Sequence, residues 1–175
     1  MKQQVEKETT ERQRVGTTAL AWWSNLKKDK GGKAQLKRCG DPSEVFFCLP
    51  FHELHVRLAA WSSRQKETAA VMAVVLAHVK DDTSSRDARS FAAQMAARKG
   101  ERAAVHGLRF RRLIQIKDRE ELFKPLIRIV RLLDGTVNVG DLAYSIWQWE
   151  HPNRFVQRQW ACDYYDTPLR MEKEP

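Results

Sequence analysis

From Val105 to Leu133 the chain reads VHGLRFRRLIQIKDREELFKPLIRIVRLL, and apolar positions recur at helical spacing in two runs. The first holds Val105, Leu108, Phe110, Leu113, Ile114 and Ile116; the second holds Leu122, Phe123, Leu126, Ile127, Ile129, Val130, Leu132 and Leu133. Between them lies Lys117-Asp118-Arg119-Glu120-Glu121. There Asp118 can cap the second helix, and Glu121 three residues on suits both a capping box and the helix dipole. The pattern predicts a helical hairpin around which the chain is organised. Its polar positions are not mixed as on an ordinary solvated face. Lys124, Arg128 and Arg131 fall at i, i+4 and i+7, one stripe along the second helix, and Arg109 and Arg112 fall at i, i+3 on the first.

Ahead of this hairpin, Met1 to Gly16 is charged and nearly devoid of apolar residues, which predicts a mobile tail. Thr17 or Thr18 then caps a helix whose inward face is Leu20, Trp22, Trp23 and Leu26. A basic turn leads into a short helix from Lys33 to Cys39, stopped by Gly40. Asp41-Pro42-Ser43-Glu44 supplies a cap, a proline at the first helical position and a glutamate at the third. Pro50 starts a further helix through Ala60, and Glu67 to Val79 is nearly all apolar, a buried helix. A polar loop over Lys80–Ser85 and an Ala-rich helix from Arg86 to Arg98 follow, and Arg98–Arg102 reads as a linker.

Beyond the hairpin, Asp134-Gly135 stops the helix and Asn138 caps the next, which runs through Trp149. Pro152-Asn153 breaks the chain before a helix from Arg154 to Tyr165, with Arg154 and Arg158 at i, i+4. Only Thr136 to Val139 alternates with a strand period, and it is too short to build a sheet. The prediction is an all-α protein of two small helical bundles packed together. They span residues 17–98 and 99–165, flanked by tails over 1–16 and 166–175.

Charge sharpens this picture. The net charge is +9, but residues 27–38 hold six Lys/Arg against one Asp, and residues 98–131 hold eleven against four acidic residues. Two separate basic blocks, able to meet on one surface, point to a polyanionic partner, nucleic acid before membrane. The plainer reading is a charge excess for solubility. The longest apolar run, Ala69 to Ala77, has nine residues, well short of the ~20 that span a bilayer.

Candidate chemistry is sparse. Cys39, Cys48 and Cys162 show no CxxC spacing, and with no secretory h-region they predict reduced thiols in a cytoplasmic protein. His52 and His55 stand at i, i+3, where the zincin pattern needs i, i+4, and no further Cys/His cluster completes a coordination shell. Gly31-Gly32 lacks phosphate-loop spacing, and no serine or cysteine has a neighbouring base. No catalysis, metal or cofactor is expected.

Several stretches, in order, resemble the small subunit (the CasB family) of the type I-E CRISPR effector complex, Cascade. They are Ala19-Leu20-Ala21-Trp22-Trp23, Leu36-Lys37-Arg38, Phe51-His52 and Leu108-Arg109-Phe110-Arg111-Arg112-Leu113-Ile114. The Asp118–Leu122 helix start, Arg128–Leu133, Val137–Ala143 and Arg158–Tyr165 extend the match over most of residues 17–165. Pro125, inside the second hairpin helix, departs from the family pattern and is a candidate kink. The resemblance implies a two-domain helical, non-catalytic subunit, present in two copies, that packs along the backbone subunits and contacts the large subunit. Its implied role is to stabilise the R-loop, in which guide RNA has paired with one strand of target DNA and displaced the other. It carries a basic surface onto Lys37, Arg38, Arg109, Arg128 and Arg131, and further onto Arg64, Arg119 and Arg154. Arg112 and Lys124 join the set from the stripes themselves. Two other readings stand beside it: a pure assembly subunit that meets only neighbouring proteins, and an independent, non-specific nucleic-acid-binding protein.

Overall fold

The computed structural model describes residues 2–87 and 89–171; the expectations for Met1 and for residues 172–175 lie outside that range. The fold is all-α. Its helices are α1 (Lys2–Lys28), α2 (Lys30–Arg38), a 3-10 helix (Pro42–Phe47), α3 (Leu49–Arg57), α4 (Ser63–Ala77) and α5 (Phe91–Ala96). After these come α6 (Gly107–Gln115), α7 (Arg119–Leu132), α8 (Val139–Trp147) and α9 (Phe155–Met171). Among the described residues, strand structure is confined to segments of two residues. β1 (Asp81–Asp82) runs parallel to β4 (Thr136–Val137), and β2 (Arg98–Lys99) pairs with β3 (Arg102–Ala103) in a hairpin.

The centre of the molecule is α4, not the hairpin predicted over 105–133. Every residue from Thr68 to Ala77 is buried, as a helix apolar all round must be. Ser62 and Gln65 close a capping box at its start. Helices α2, α3, α7 and α8 and the 3-10 helix all pack on it. The two helices of the hairpin take different partners. α7 lies on α4, whereas α6 lies on α9, where Phe110 stacks on Tyr164 with ring centroids 3.9 Å apart.

The predicted N-terminal tail is instead the first half of α1, with no helix start at Thr17 or Thr18. Its sequence is too polar to announce burial, because polar contacts to α8 hold it. Arg12 forms an ion pair with Asp141. Glu11 accepts hydrogen bonds from Trp147 Nε1 at 3.1 Å and Gln148 Nε2 at 2.8 Å. Gly16 meets Gly140 so closely that an added Cβ would stand 3.3 Å from the Gly140 carbonyl oxygen. Asp141 is buried and accepts from the Phe91 amide at 2.8 Å. Burial pushes its carboxyl above the usual range, against the opposing pull of the Phe91 amide and Arg12.

Three further expectations are corrected. The helix expected over Arg86–Arg98 is confined to Phe91–Ala96, capped by Ser90. The segment read as a linker forms the β2–β3 hairpin, turned by Gly100 at φ +71°. Residues 166–171, expected as tail, continue α9. One hydrophobic core takes in residues from both sides of this hairpin, Met72 and Phe91 together with Phe110 and Trp160.

Candidate nucleic-acid interface

The ten basic residues singled out from the sequence fall into two groups. Arg64, Arg119 and Arg154 are committed to carboxylates and carbonyls within the fold. Arg119, at the first position of α7, is 5% exposed. Its guanidinium reaches Glu67 Oε2 at 3.1 Å and the Arg64 carbonyl at 3.0 Å, and it pairs with Glu150. Arg64 stands 3.2 Å from the same Glu150 carboxylate. Arg154, held at φ +48°, donates to the Ile114 carbonyl at 2.6 Å, and beside it Trp149 Nε1 donates to the Ile116 carbonyl at 3.0 Å. Together they satisfy carbonyls left open where α6 ends.

The other seven behave differently. Lys37, Arg38, Arg109, Arg112, Lys124, Arg128 and Arg131 are exposed, and no side chain among them has a hydrogen bond or ion pair among the described residues. The fold gathers them. Arg109 and Arg112 from α6 and Arg128 from α7 line one groove of about 530 Å³ between these helices. Pro125 lines it too, inside an α7 that stays helical from Arg119 to Leu132.

Cations of the second basic block share a neighbour with α7. His78 caps the C-terminus of α4, half-buried. Burial, together with the charges of Arg131 on α7 and of Lys37 and Lys33 on α2, depresses its imidazole from 6.5 to about 4. Lys33 donates to the Val79 carbonyl at 2.9 Å. Its own ammonium is lowered by burial and then by Lys37 and Lys27. At the start of α7, Lys124 adds its field to the Ser43 contacts that hold the Asp41 carboxyl below the usual range. Arg131 on α7 and Lys37 and Lys33 on α2 thus bear on one imidazole, while Arg128 shares a groove with Arg109 and Arg112.

Sequence reasoning missed Lys33 and His78. Lys33 lay inside the counted basic block, whereas nothing at the end of an apolar run marks a histidine that faces three cations from two other helices. Such a surface can neutralise phosphates, and contacts to phosphate carry no base information. His52 bonds the Phe46 carbonyl at 2.8 Å, and His55 packs edge-on to Trp61. Among the described residues no group of three or more His, Cys, Asp or Glu side chains is placed to hold a metal, and no helix is long and apolar enough to cross a membrane.

A family model, that of CRISPR-associated protein Cse2, matches residues 32–165. The curated CRISPR-associated protein Cse2 of Thermus thermophilus is 27% identical over 164 residues, which cover 91% of this chain and 95% of that protein. A chain in the crystal structure of E. coli Cascade bound to a PAM-containing double-stranded DNA target superposes with a TM-score of 0.67 at 20% identity. That match covers 87% of this chain and 97% of the other, and the two share the fold.

Proposed function

The chain belongs to the CRISPR-associated protein Cse2 family, and from that premise we propose that it is a non-catalytic small subunit of an RNA-guided DNA surveillance complex. In this reading it stabilises the R-loop by sequence-independent contacts to the displaced or target strand near the guide RNA. The grouping of Arg109, Arg112 and Arg128, exposed and without ion pairs among the described residues, in one groove between α6 and α7 is the observation that supports it. Exchange of a DNA duplex for an RNA–DNA heteroduplex is nearly balanced, so modest contacts to phosphates can tip it. A subunit that serves any guide must ignore sequence, and phosphate contacts do.

The second reading, a pure assembly subunit, is favoured by a different surface. Phe47, Leu49, Val56 and Trp61 are more than half exposed on and around α3, large apolar side chains of the kind that meet other proteins. On our reading both surfaces are used. The apolar one faces neighbours in the complex, among them backbone subunits, the large subunit and a second copy of this chain.

Replacing Arg128 and Arg131 together with Ala tests the proposal. Both are exposed on α7, and Ala is the better helix former, so the subunit should fold and assemble. R-loop lifetime should fall equally for guides of unrelated sequence, and the salt slope of binding should shrink by about 0.7 per lost single-strand contact. Loss of the subunit from the purified complex would favour the assembly reading. Full occupancy with unchanged R-loop lifetime would exclude both roles for this pair.

A further inference from the structure

The groove between α6 and α7 has a floor that phosphate contacts do not require. Leu108, Leu113, Ile116, Pro125 and Ile129 form it, and Leu108 is 54% exposed. Around it stand Arg109, Arg112 and Arg128 with no carboxylate partner among the described residues. At about 530 Å³ it falls within the roughly 300–1,000 Å³ of ligand clefts.

We propose that this groove receives an unpaired nucleobase of the bound strand, with the adjoining phosphates on Arg109, Arg112 and Arg128. The inference rests on the nucleic-acid reading above and deepens it from strand contact to capture of a single-stranded nucleotide. An apolar floor under a cationic rim asks for a ligand that is flat and apolar in one part and anionic beside it. A nucleotide joins the two within one repeating unit. A duplex does not, because its base faces are stacked inside and only its phosphates reach the rim. Guanidinium planes also stack on bases, so the rim can close over what the floor accepts. The floor side chains are aliphatic and carry no donor or acceptor. The floor therefore holds a base by its apolar face and does not identify it, while His106 and the three arginines complete the lining. Arg131 follows Arg128 by three positions along α7, so a strand leaving the groove along that helix meets further positive charge.

The test is fluorescence anisotropy of the full chain with three labelled probes: single-stranded oligothymidylate, the same backbone with abasic sites, and a duplex of equal length. The abasic strand should bind about tenfold more weakly than the intact one, the size of one stacked base. Leu108→Ala should collapse that difference, and Leu108→Trp, which widens the stacking platform, should enlarge it. Equal binding of intact and abasic strands would overturn base capture while leaving the phosphate reading intact. Failure of the wild-type chain to bind any probe would overturn both. An acidic leucine-containing peptide that bound more tightly than the intact strand, and lost that binding in Leu108→Ala, would reassign the groove to a protein segment.

Discussion

Arg131 on α7 stands close enough to His78 at the end of α4 to help burial keep that imidazole neutral at physiological pH. The folded state holds His78 near pH 4, against 6.5 in the unfolded chain. The unfolded chain therefore takes up the proton first, and acid works against the fold. His78 contributes its full stability above pH 6.5, and that contribution is lost as pH falls toward 4. His78→Asn should flatten this part of a melting-temperature profile relative to wild type. A bound polyanion offsets Arg131, Lys37 and Lys33, so it should raise the His78 pKa in an NMR titration and strengthen binding as pH falls.

The Arg119 cluster should behave as a buried ion pair. Arg119→Ala leaves Glu150 without its most buried partner and is expected to cost about 3 kcal/mol, the low end for such pairs because Arg64 still faces the carboxylate. Arg119→Met, which fills the same space without charge, should cost less in denaturant unfolding. Neither change should alter the salt slope of oligonucleotide binding. A reduced slope would mean that Arg119 reaches solvent.

The first half of α1 should prove structural. Gly16→Val places side-chain atoms against the Gly140 backbone and should cost about 1–3 kcal/mol, as overpacking does. Deleting residues 1–16 removes the Arg12 partner of buried Asp141 and the Glu11 partner of Trp147, and should lower the melting temperature. A truncated chain as stable as the full one would return this segment to the status of a tail.

What could be seen in the sequence follows from where each signal resides. Ala69 to Ala77 declared a buried helix because nine successive apolar residues leave no solvent face. Asp118 and Asn138 marked helix starts because a cap acts within three residues; they accept from the amides of Glu120 and Asp141. The stripe of Lys124, Arg128 and Arg131 needed only helical periodicity. Glu11, Arg12 and Gly16 could not be read this way, because their partners on α8 lie more than 120 positions along the chain. For the same reason nothing local separates Arg128, which is free, from Arg119, which faces Glu67 and Glu150. That sorting of cations belongs to tertiary packing.

The division at residues 98–102 can be tested by limited proteolysis. Trypsin should cut first in the exposed β2–β3 hairpin or between Lys80 and Ser85, before it cuts within Arg109–Leu133. Because α5 packs on α9 and the core is shared, the nicked halves should stay together and unfold in one calorimetric transition. Two transitions would mean that residues 17–98 and 99–165 are independent units.

The seven unpartnered cations also burden the chain that carries them. With no carboxylate in an ion pair with them among the described residues, they repel one another, and a net charge of +9 adds to that repulsion. Simple salt should therefore act with opposite signs on the two properties of the molecule, hardening the free protein against heat while loosening its grip on a polyanion. On the proposed function, a bound strand relieves the same repulsion more locally than dissolved ions can, and the protein reaches its own electrostatic minimum only with that strand in place.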